Sequence, residues 1–265
     1  MKQFKTNFKG GSINYFIYGK GDALILLHGY CEDSSIWFNT AKKLATTNTI
    51  VMIDLPGFGK SSLLEKPYKM NDLADVVLHI TNEISISIFH IMGHSMGGYV
   101  ALEVLHKSSK AVKSIGLIHS HCFTDTEEKI RNRKKSIDFI KKHGTAFFLQ
   151  EFYTNLFAEK NITPFTKDIL AMRKKYKNIS AEAIIQGANA MIQRYDLSKV
   201  LSNCNEPVFM FCGREDPAVH YLLSLKMASL PKFCDFHLLE GVGHVGFIEA
   251  EWKWFKAIKG FLNPA

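Results

Sequence analysis

Residues 88–98 read IFHIMGHSMGG and carry the strongest local signal in the sequence. Residues 88–92 form an apolar run typical of a strand buried on both faces of a parallel sheet. Residues 93–97 match the G-x-S-x-G pattern, and apolar residues at helical spacing follow from Met96. A strand, a sharp turn and a helix in this order expose the hydroxyl of the central serine above the strand ends. We therefore predict Ser95 as a nucleophile, with the backbone N–H of Met96 beside it at a helix N-terminus.

Similar apolar runs recur along the chain and predict the rest of the sheet. They lie at residues 23–27, 49–53, 114–118 and 208–211, with a weaker last member at 235–239. Helical stretches at 35–46, 70–84, 96–108 and 219–229 separate several of these runs. Near the N-terminus, residues 4–8 and 12–18 flank Gly10-Gly11 and predict an antiparallel hairpin. Together the patterns predict a mostly parallel, eight-stranded sheet with helices on both faces.

The segment between Ile118 and Val208 breaks this alternation. It has no convincing strand, and its helical patterns lie at about 126–143, 145–156, 163–176 and 180–194. We therefore predict a core of residues 1–121 and 206–265, with residues 122–205 inserted as a helical cap. Aromatic residues of the cap indicate either an apolar roof over the sheet or packing among the cap helices. They are Phe139, Phe147, Phe148, Phe152, Tyr153, Phe157, Phe165 and Tyr176.

His244 and Asp216 follow the last two predicted strands. A serine hydroxyl is a weak nucleophile and needs a base; of eleven histidines, His244 is the best placed, in the loop GVGH past the last strand. Asp216 follows the strand at 208–211 and would hold the tautomer of that histidine. Glu215 is adjacent, so one of the two carboxylates must point elsewhere; we prefer Asp216, whose alternative role is a helix N-cap. The order serine, aspartate, histidine distinguishes this arrangement from other folds that carry the same three residues.

Two further motifs complete a resemblance that covers nearly the whole chain. His28-Gly29-Tyr30 follows the first buried strand, and residues 54–61 read DLPGFGKS after the next one. With the serine turn and the GVGH loop, these motifs resemble the α/β-hydrolase superfamily with a helical cap. The resemblance implies acyl transfer to water through an acyl-enzyme on Ser95, with an oxyanion hole formed by the backbone N–H groups of Tyr30 and Met96. It also implies structural roles for His28 and His94, and no metal or organic cofactor.

The sequence leaves the substrate open. Hydrolysis of a carboxylic ester in a small acyl substrate is the leading expectation. Lactonase, thioesterase, carbon–carbon bond hydrolase and carrier-protein ester esterase are alternatives on the same fold, and a non-catalytic ligand receptor is the alternative from another class. His119 and His121 follow the strand that ends at Ile118 and are candidates for the substrate pocket. Their alternative role is packing or hydrogen bonding.

The net charge of +8 is concentrated in the predicted cap. Residues 122–205 hold 15 Lys and Arg against 9 Asp and Glu, and residues 129–142 hold seven basic residues against one acid. No recognised nucleic-acid motif accompanies these charges, so we expect no nucleic-acid partner. A solvated helix face is the plain interpretation. The alternative is a docking surface for an acidic carrier protein, with Arg131, Arg133 and Lys134 as positions at which to test it.

Composition restricts the class of protein further. Hydrophobic residues make up 46% of the chain, enough for a large core. Five cysteines without a C-x-x-C pair argue against a disulfide framework and a zinc site. The chain shows no apolar run of the ~18 to 20 residues that a membrane span needs, and no signal-peptide pattern. We expect a soluble, cytoplasmic enzyme.

Overall fold

The computed structural model describes residues 1–263, which form one eight-stranded sheet and eleven α-helices. The strands are β1 (Lys2–Phe8), β2 (Gly11–Gly19), β3 (Asp22–Leu27), β4 (Asn48–Ile53), β5 (Phe89–His94), β6 (Val112–Ile118), β7 (Val208–Gly213) and β8 (Cys234–Leu239). The helices are α1 (Phe38–Leu44), α2 (Met70–Glu83), α3 (Met96–Lys107), α4 (Glu127–His143), α5 (Thr145–Thr154), α6 (Thr166–Tyr176), α7 (Ala181–Ile192), α8 (Ser198–Asn203), α9 (Tyr221–Ala228), α10 (Gly246–Glu249) and α11 (Glu251–Leu262). The predicted core segment 206–265 ends two residues outside the described part.

The sheet has the strand order β1-β2-β4-β3-β5-β6-β7-β8. β1 pairs antiparallel with β2, and β2 pairs antiparallel with β4. All pairs from β4 through β3 to β8 are parallel. This topology confirms the predicted hairpin and the mostly parallel sheet. The carboxyl ends of six neighbouring strands, β3 to β8, therefore meet at one edge, where open α/β sheets bind ligands.

Burial explains why some strands are easier to recognise in the sequence than others. Every residue of β5 and β7 is buried, as the continuous apolar runs predict. β8 is an edge strand whose first five residues are half-buried. Its side chains therefore need not all be apolar, which accounts for its weak pattern.

Helices cover both faces of the sheet, as predicted. α3 packs against α2 and against β5 and β6. α11, which the sequence did not predict, buries Trp254 completely against Phe209 and Phe211 of β7 and against Trp37. Trp254 also donates its indole N–H to the Thr40 hydroxyl at 3.0 Å, so this large side chain is buried without an unsatisfied donor.

A helical insert, α4 to α8, lies between β6 and β7, as predicted; the short α8 was not predicted. α4 begins after Thr126, whose hydroxyl accepts a hydrogen bond from the Lys129 N–H, and it ends at Gly144 with φ of +78°. Its first turn is acidic and its last turn is basic, which suits the helix dipole. Part of the cap's positive charge is therefore explained by helix stability alone. None of the helices in residues 1–263 combines the length and apolarity that a bilayer crossing requires.

Candidate active site

Ser95 lies on a sharp turn between β5 and α3. Its φ of +51° and ψ of −113° are a strained conformation for a residue with a side chain. Three hydrogen bonds hold the turn: Ser95 N–H donates to the Ile118 carbonyl at 2.9 Å, and the Ser95 carbonyl accepts from Gly98 N–H at 3.0 Å and from the Ser120 hydroxyl at 2.8 Å. The strain is therefore supported from β6, and the serine is held at the end of the central strand.

Glycines before and after the serine permit this close packing. A Cβ atom on Gly93 would lie 2.1 Å from the backbone of Gly97. A Cβ atom on Gly97 would lie 2.6 Å from the carbonyl oxygens of Leu27 and His28, at the end of β3. Neither approach is sterically allowed, so the turn packs against its neighbours only with glycine at both positions.

Asp216 and His244 form a buried pair at the same edge of the sheet. Asp216 follows β7 and His244 follows β8, and both side chains are almost completely buried. The Nδ1 of His244 lies 2.8 Å from Oδ2 and 2.9 Å from Oδ1 of Asp216, so the carboxylate holds the ring with its Nδ1–H toward Asp216. Oδ1 also accepts the N–H groups of Ala218 and Val219 at 2.8 Å each. The aspartate thus orients the histidine and also caps the turn that follows it.

Glu215 points away from this pair. Its Oε2 accepts the N–H groups of Gly241 at 2.6 Å and Val242 at 3.1 Å. These residues begin the loop that carries His244, so Glu215 fixes the loop while Asp216 contacts the ring. The two adjacent carboxylates do point in different directions.

His119 is a second histidine on the same aspartate. Its Nδ1 lies 3.0 Å from Asp216 Oδ2, and its Nε2 accepts the Gly246 N–H at 3.1 Å. Since Nε2 is an acceptor, the proton must be on Nδ1, and the neutral ring donates to the carboxylate. Burial lowers the pKa of His119 to about 4, against the opposing effect of Asp216, which agrees with a neutral ring. The sequence placed His119 near the site but did not identify Asp216 as its partner.

Asp216 is held as a carboxylate. Burial would raise its pKa, but His244 and His119 keep the pKa of Asp216 well below its usual range. The three side chains offer potential metal-ligand atoms within 4.8 Å of one another. These atoms already satisfy one another by hydrogen bonds, so a metal ion would have to displace the contacts that orient His244.

His94 lies behind His244 and is paired with Glu32. Its Nδ1 lies 2.8 Å from Glu32 Oε2, and its Nε2 lies 2.9 Å from the His244 carbonyl oxygen. Both partners are acceptors, so both ring nitrogens donate and the ring is a cation. Although burial lowers it, the pKa of His94 is raised by Glu32. Glu32 also accepts the Gly29 N–H at 2.8 Å, so one buried ion pair links the loop after β3 to the His244 backbone.

The loop after β3 places Tyr30 beside the serine turn. Neither the Tyr30 N–H nor the Met96 N–H donates to another residue within 1–263. His28 is structural, as the resemblance implies: its Nε2 accepts the Leu55 N–H at 2.9 Å. The helical insert also contacts this loop, because the Tyr153 hydroxyl of α5 donates to the Cys31 carbonyl.

One cavity of about 200 Å³ contains both Ser95 and His244. Its other lining residues are Tyr30, Tyr99, Lys129, Asn132, Arg133, Ser136, Phe152, Leu156, Met191, Ala218 and Val219. Both groups line this cavity, and no hydrogen bond joins Ser95 to His244 within residues 1–263. The structure describes all eight aromatic residues that could form the predicted apolar roof. Among these eight, Phe152 alone lines this cavity.

Neither His119 nor His121 lines that cavity. His119 is buried behind Asp216, and His121 lies beside Tyr99, with its Nε2 3.4 Å from the Tyr99 hydroxyl. His121 borders a separate void of about 10 Å³, too small for a substrate. The structure therefore gives both histidines hydrogen-bonding and packing contacts, and their predicted contact with substrate stays a prediction.

Arg133 lines the cavity, whereas Arg131 and Lys134 lie on the outer surface of α4, and the part of Arg133 in docking stays a prediction. Its Nε donates to buried Asp125 at 2.7 Å, and its side chain is 17% exposed and lines the cavity. Arg131 is 63% exposed and Lys134 is exposed. The helix thus has an inner cationic face and an outer cationic face.

A comparison with family sequences agrees with the fold. The family described as alpha/beta hydrolase fold matches residues 22–251. The chain therefore belongs to the alpha/beta hydrolase fold family.

Several curated proteins and solved structures are similar to the chain. It is 33% identical over 263 residues to the pimeloyl-[acyl-carrier protein] methyl ester esterase of Aeromonas hydrophila subsp. hydrophila, covering 95% of this chain and 100% of that protein. It is 29% identical over 227 residues to the dihydrolipoyllysine-residue acetyltransferase component of the acetoin cleaving system of Pseudomonas putida, covering 82% of this chain. This match covers 59% of the length of the Pseudomonas putida protein. The matches to two further relatives cover 38% and 29% of the lengths of those proteins. The fold superposes on the malate-bound structure of a thermophilic esterase from Thermogutta terrifontis with a TM-score of 0.91, at 22% identity and with 99% and 98% of the two chains covered.

Proposed function

We propose that this chain is a serine esterase, with Ser95 as nucleophile, His244 as base and Asp216 as the residue that orients and stabilises the base. The observation that carries the proposal is the buried Asp216–His244 pair, which opens onto the same cavity as a serine on a strained turn. The three residues come from the ends of three parallel strands. A rigid sheet edge therefore sets their relative positions.

Two backbone N–H groups support an acyl-transfer reaction. The amides of Tyr30 and Met96 have no partner within residues 1–263, and Met96 begins α3, where the helix dipole is positive. Such donors stabilise the negative oxygen that develops when a hydroxyl attacks a carbonyl. Losing one donor of this kind typically costs on the order of 100-fold in rate.

The proposed reaction has two halves. Ser95 attacks the ester carbonyl as His244 removes its proton, and Asp216 stabilises the resulting imidazolium. His244 then gives this proton to the leaving alcohol, and water attacks the acyl-enzyme by the reverse steps. Hydrogen bonds of this type are often long without substrate and tighten in the complex, which fits the absence of a Ser95–His244 bond within residues 1–263.

Hydrolysis of p-nitrophenyl acetate, butyrate and octanoate by wild type and Ser95→Ala tests the proposal. The cavity of about 200 Å³ is smaller than most ligand pockets, at about 300–1,000 Å³, so we expect acetate and butyrate to be better substrates than octanoate. Ser95→Ala should abolish turnover, whereas Ser202→Ala on α8, outside the cavity lining, should keep it. Tight binding of esters by a folded wild type without turnover would instead indicate the receptor alternative.

A second candidate is an esterase acting on an acyl group attached to an acidic carrier protein. The observation that favours it is the outer cationic face of α4, together with the activity for which the Aeromonas hydrophila relative is named. Charge reversal at Arg131 and Lys134 should then raise KM for a carrier-bound ester and leave a small ester unaffected. Equal effects on both esters would reject this candidate.

We also propose that residues 122–205 form a cap on a core formed by residues 1–121 and 206–265. The position of α4 to α8 between β6 and β7 supports these boundaries. A small acyl substrate would enter between the cap and the sheet edge, where the cavity lies.

A further inference from the structure

One face of α4 lines the cavity of Ser95 and His244. The α4 residues are Lys129, Asn132, Arg133 and Ser136, all of them polar. Their spacing of three and four positions places them on a single stripe of the helix. The facing part of the cap is apolar, with Phe152, Leu156 and Met191 in the lining. The cavity therefore has one polar, cationic wall and one apolar wall.

The positive charge of this wall is only partly compensated. Asp125 is fully buried at its side chain and contacts three cations: Arg133 at 2.7 Å, Arg194 at 2.9 Å and Lys129 at 3.9 Å. One negative charge thus faces three positive ones. Burial would raise the pKa of Asp125, but Arg194 and Arg133 lower it to about 2. Burial lowers the pKa of nearby His121 to about 3, and the same cations add to this effect.

Arg133 and Lys129 also have hydrogen-bond donors left for a ligand. Arg133 donates to Asp125 through Nε, and its two terminal nitrogens make no hydrogen bond to residues 1–263. Lys129 donates to the Ala218 carbonyl at 2.8 Å, which occupies one of its three donors. The side chain of Arg133 is 17% exposed and that of Lys129 is 30% exposed, and both line the cavity. A guanidinium fork matches the geometry of a carboxylate.

We propose that Arg133 and Lys129 form an anion subsite that selects esters whose acyl part carries a free carboxylate. The inference rests on the proposed function, because it assigns the substrate class of the same cavity. The apolar wall would contact the short hydrocarbon chain between the two carbonyl carbons. With a volume of about 200 Å³, the cavity fits the half-ester of a short dicarboxylic acid.

The test compares two esters of the same shape that differ in charge. Monoethyl glutarate carries a carboxylate where ethyl 5-methylhexanoate carries an isopropyl group, and titration of the released acid at constant pH follows both reactions. We expect wild type to have a kcat/KM for the acidic ester at least about tenfold higher than for the neutral one. Arg133→Gln should reduce this ratio by about tenfold or more, mainly through KM, since the contact forms on substrate binding. Lys142→Gln removes the same charge from an exposed position of the same helix and should leave the ratio unchanged.

Arg133→Gln also removes the ion pair with Asp125, so a second variant tests the subsite with Arg133 in place. Asn132→Asp adds a negative charge to the same stripe at an exposed position, and it should also lower the ratio by about tenfold. A wild-type ratio near one, or an equal loss on both esters in Asn132→Asp, would overturn the subsite. If neither ester is hydrolysed and Ser95 is unreactive, the proposed function fails. Ser95-dependent turnover without preference for the acidic ester rejects the subsite alone.

Discussion

Replacing His119 isolates the contribution of the second histidine on Asp216. The residue has φ of +48°, a conformation that glycine and asparagine tolerate better than most residues. His119→Gly removes the donor to Asp216 without straining the backbone. His119→Asn keeps a side-chain N–H close to the position of the histidine Nδ1. The pair of variants therefore separates the hydrogen bond from the packing of the ring.

The size of the effect follows from the type of bond. A hydrogen bond to a charged group contributes about 1.5–3 kcal/mol, so a loss expressed in the transition state lowers kcat by about 10- to 100-fold. We expect such a fall in His119→Gly with little change in KM, because His119 does not line the cavity. His119→Asn should recover most of the rate.

The same variants change stability at low pH. The pKa of Asp216 is depressed in the folded state, so its stabilisation is present above the unfolded pKa of about 3.9 and is lost as the pH falls through the folded pKa. Removing the His119 donor raises the folded pKa, and acid unfolding should move to higher pH. Steady-state kinetics with p-nitrophenyl acetate and acid titration followed by circular dichroism measure both effects. Equal kcat in wild type and His119→Gly would refute the positioning role.

Three further substitutions test the contacts around the site. Glu32→Gln removes the acceptor that raises the pKa of His94, whose stabilisation is present below the unfolded pKa of about 6.5 and is lost as the pH rises through the raised folded pKa. Urea unfolding should therefore show stability falling as the pH rises above about 6.5 in wild type and changing less in the variant. Tyr153→Phe removes the hydroxyl that donates to the Cys31 carbonyl, and should lower the free energy of unfolding by about 1 kcal/mol and reduce kcat more than it raises KM. Asp216→Asn should lower kcat on p-nitrophenyl acetate by about a thousandfold or more, because the amide no longer fixes the tautomer of the base.

A specific result would contradict each of these three predictions. A parallel pH dependence of stability in wild type and Glu32→Gln would mean that His94 is not charged in the folded state. Unchanged kcat in Tyr153→Phe would mean that the cap does not position the loop of Tyr30. Glu215→Gln is the matched control for Asp216→Asn, since Glu215 contacts the Gly241 and Val242 backbone; similar losses in both variants would remove the distinction between the two carboxylates.

The fold was predictable because its signals are local. Continuous apolar runs and the glycines around Ser95 depend on burial and turn geometry, which act over a few residues. The weakest predictions concern long-range contacts. The pairing of His119 with Asp216 joins residues 97 positions apart, and no pattern in either segment indicates the partner of the other.

The inner face of α4 shows the same limit. The sequence shows a run of basic residues, and both Arg133 and Lys134 look like surface cations in it. Which of them faces the cavity depends on the rotation of α4 over the sheet, which is set by packing against α7 and α5. Arg133 is held beside the cavity by buried Asp125, and no pattern within α4 indicates this contact.

Labelling with a fluorophosphonate probe, followed by peptide mass spectrometry, tests whether Ser95 is an activated nucleophile. We expect a single covalent adduct on Ser95 of the folded wild type, no adduct in Ser95→Ala, and slow labelling in Asp216→Asn. An adduct on another residue, or no adduct on a wild type shown to be folded by circular dichroism, would contradict the assignment of Ser95 as an activated nucleophile.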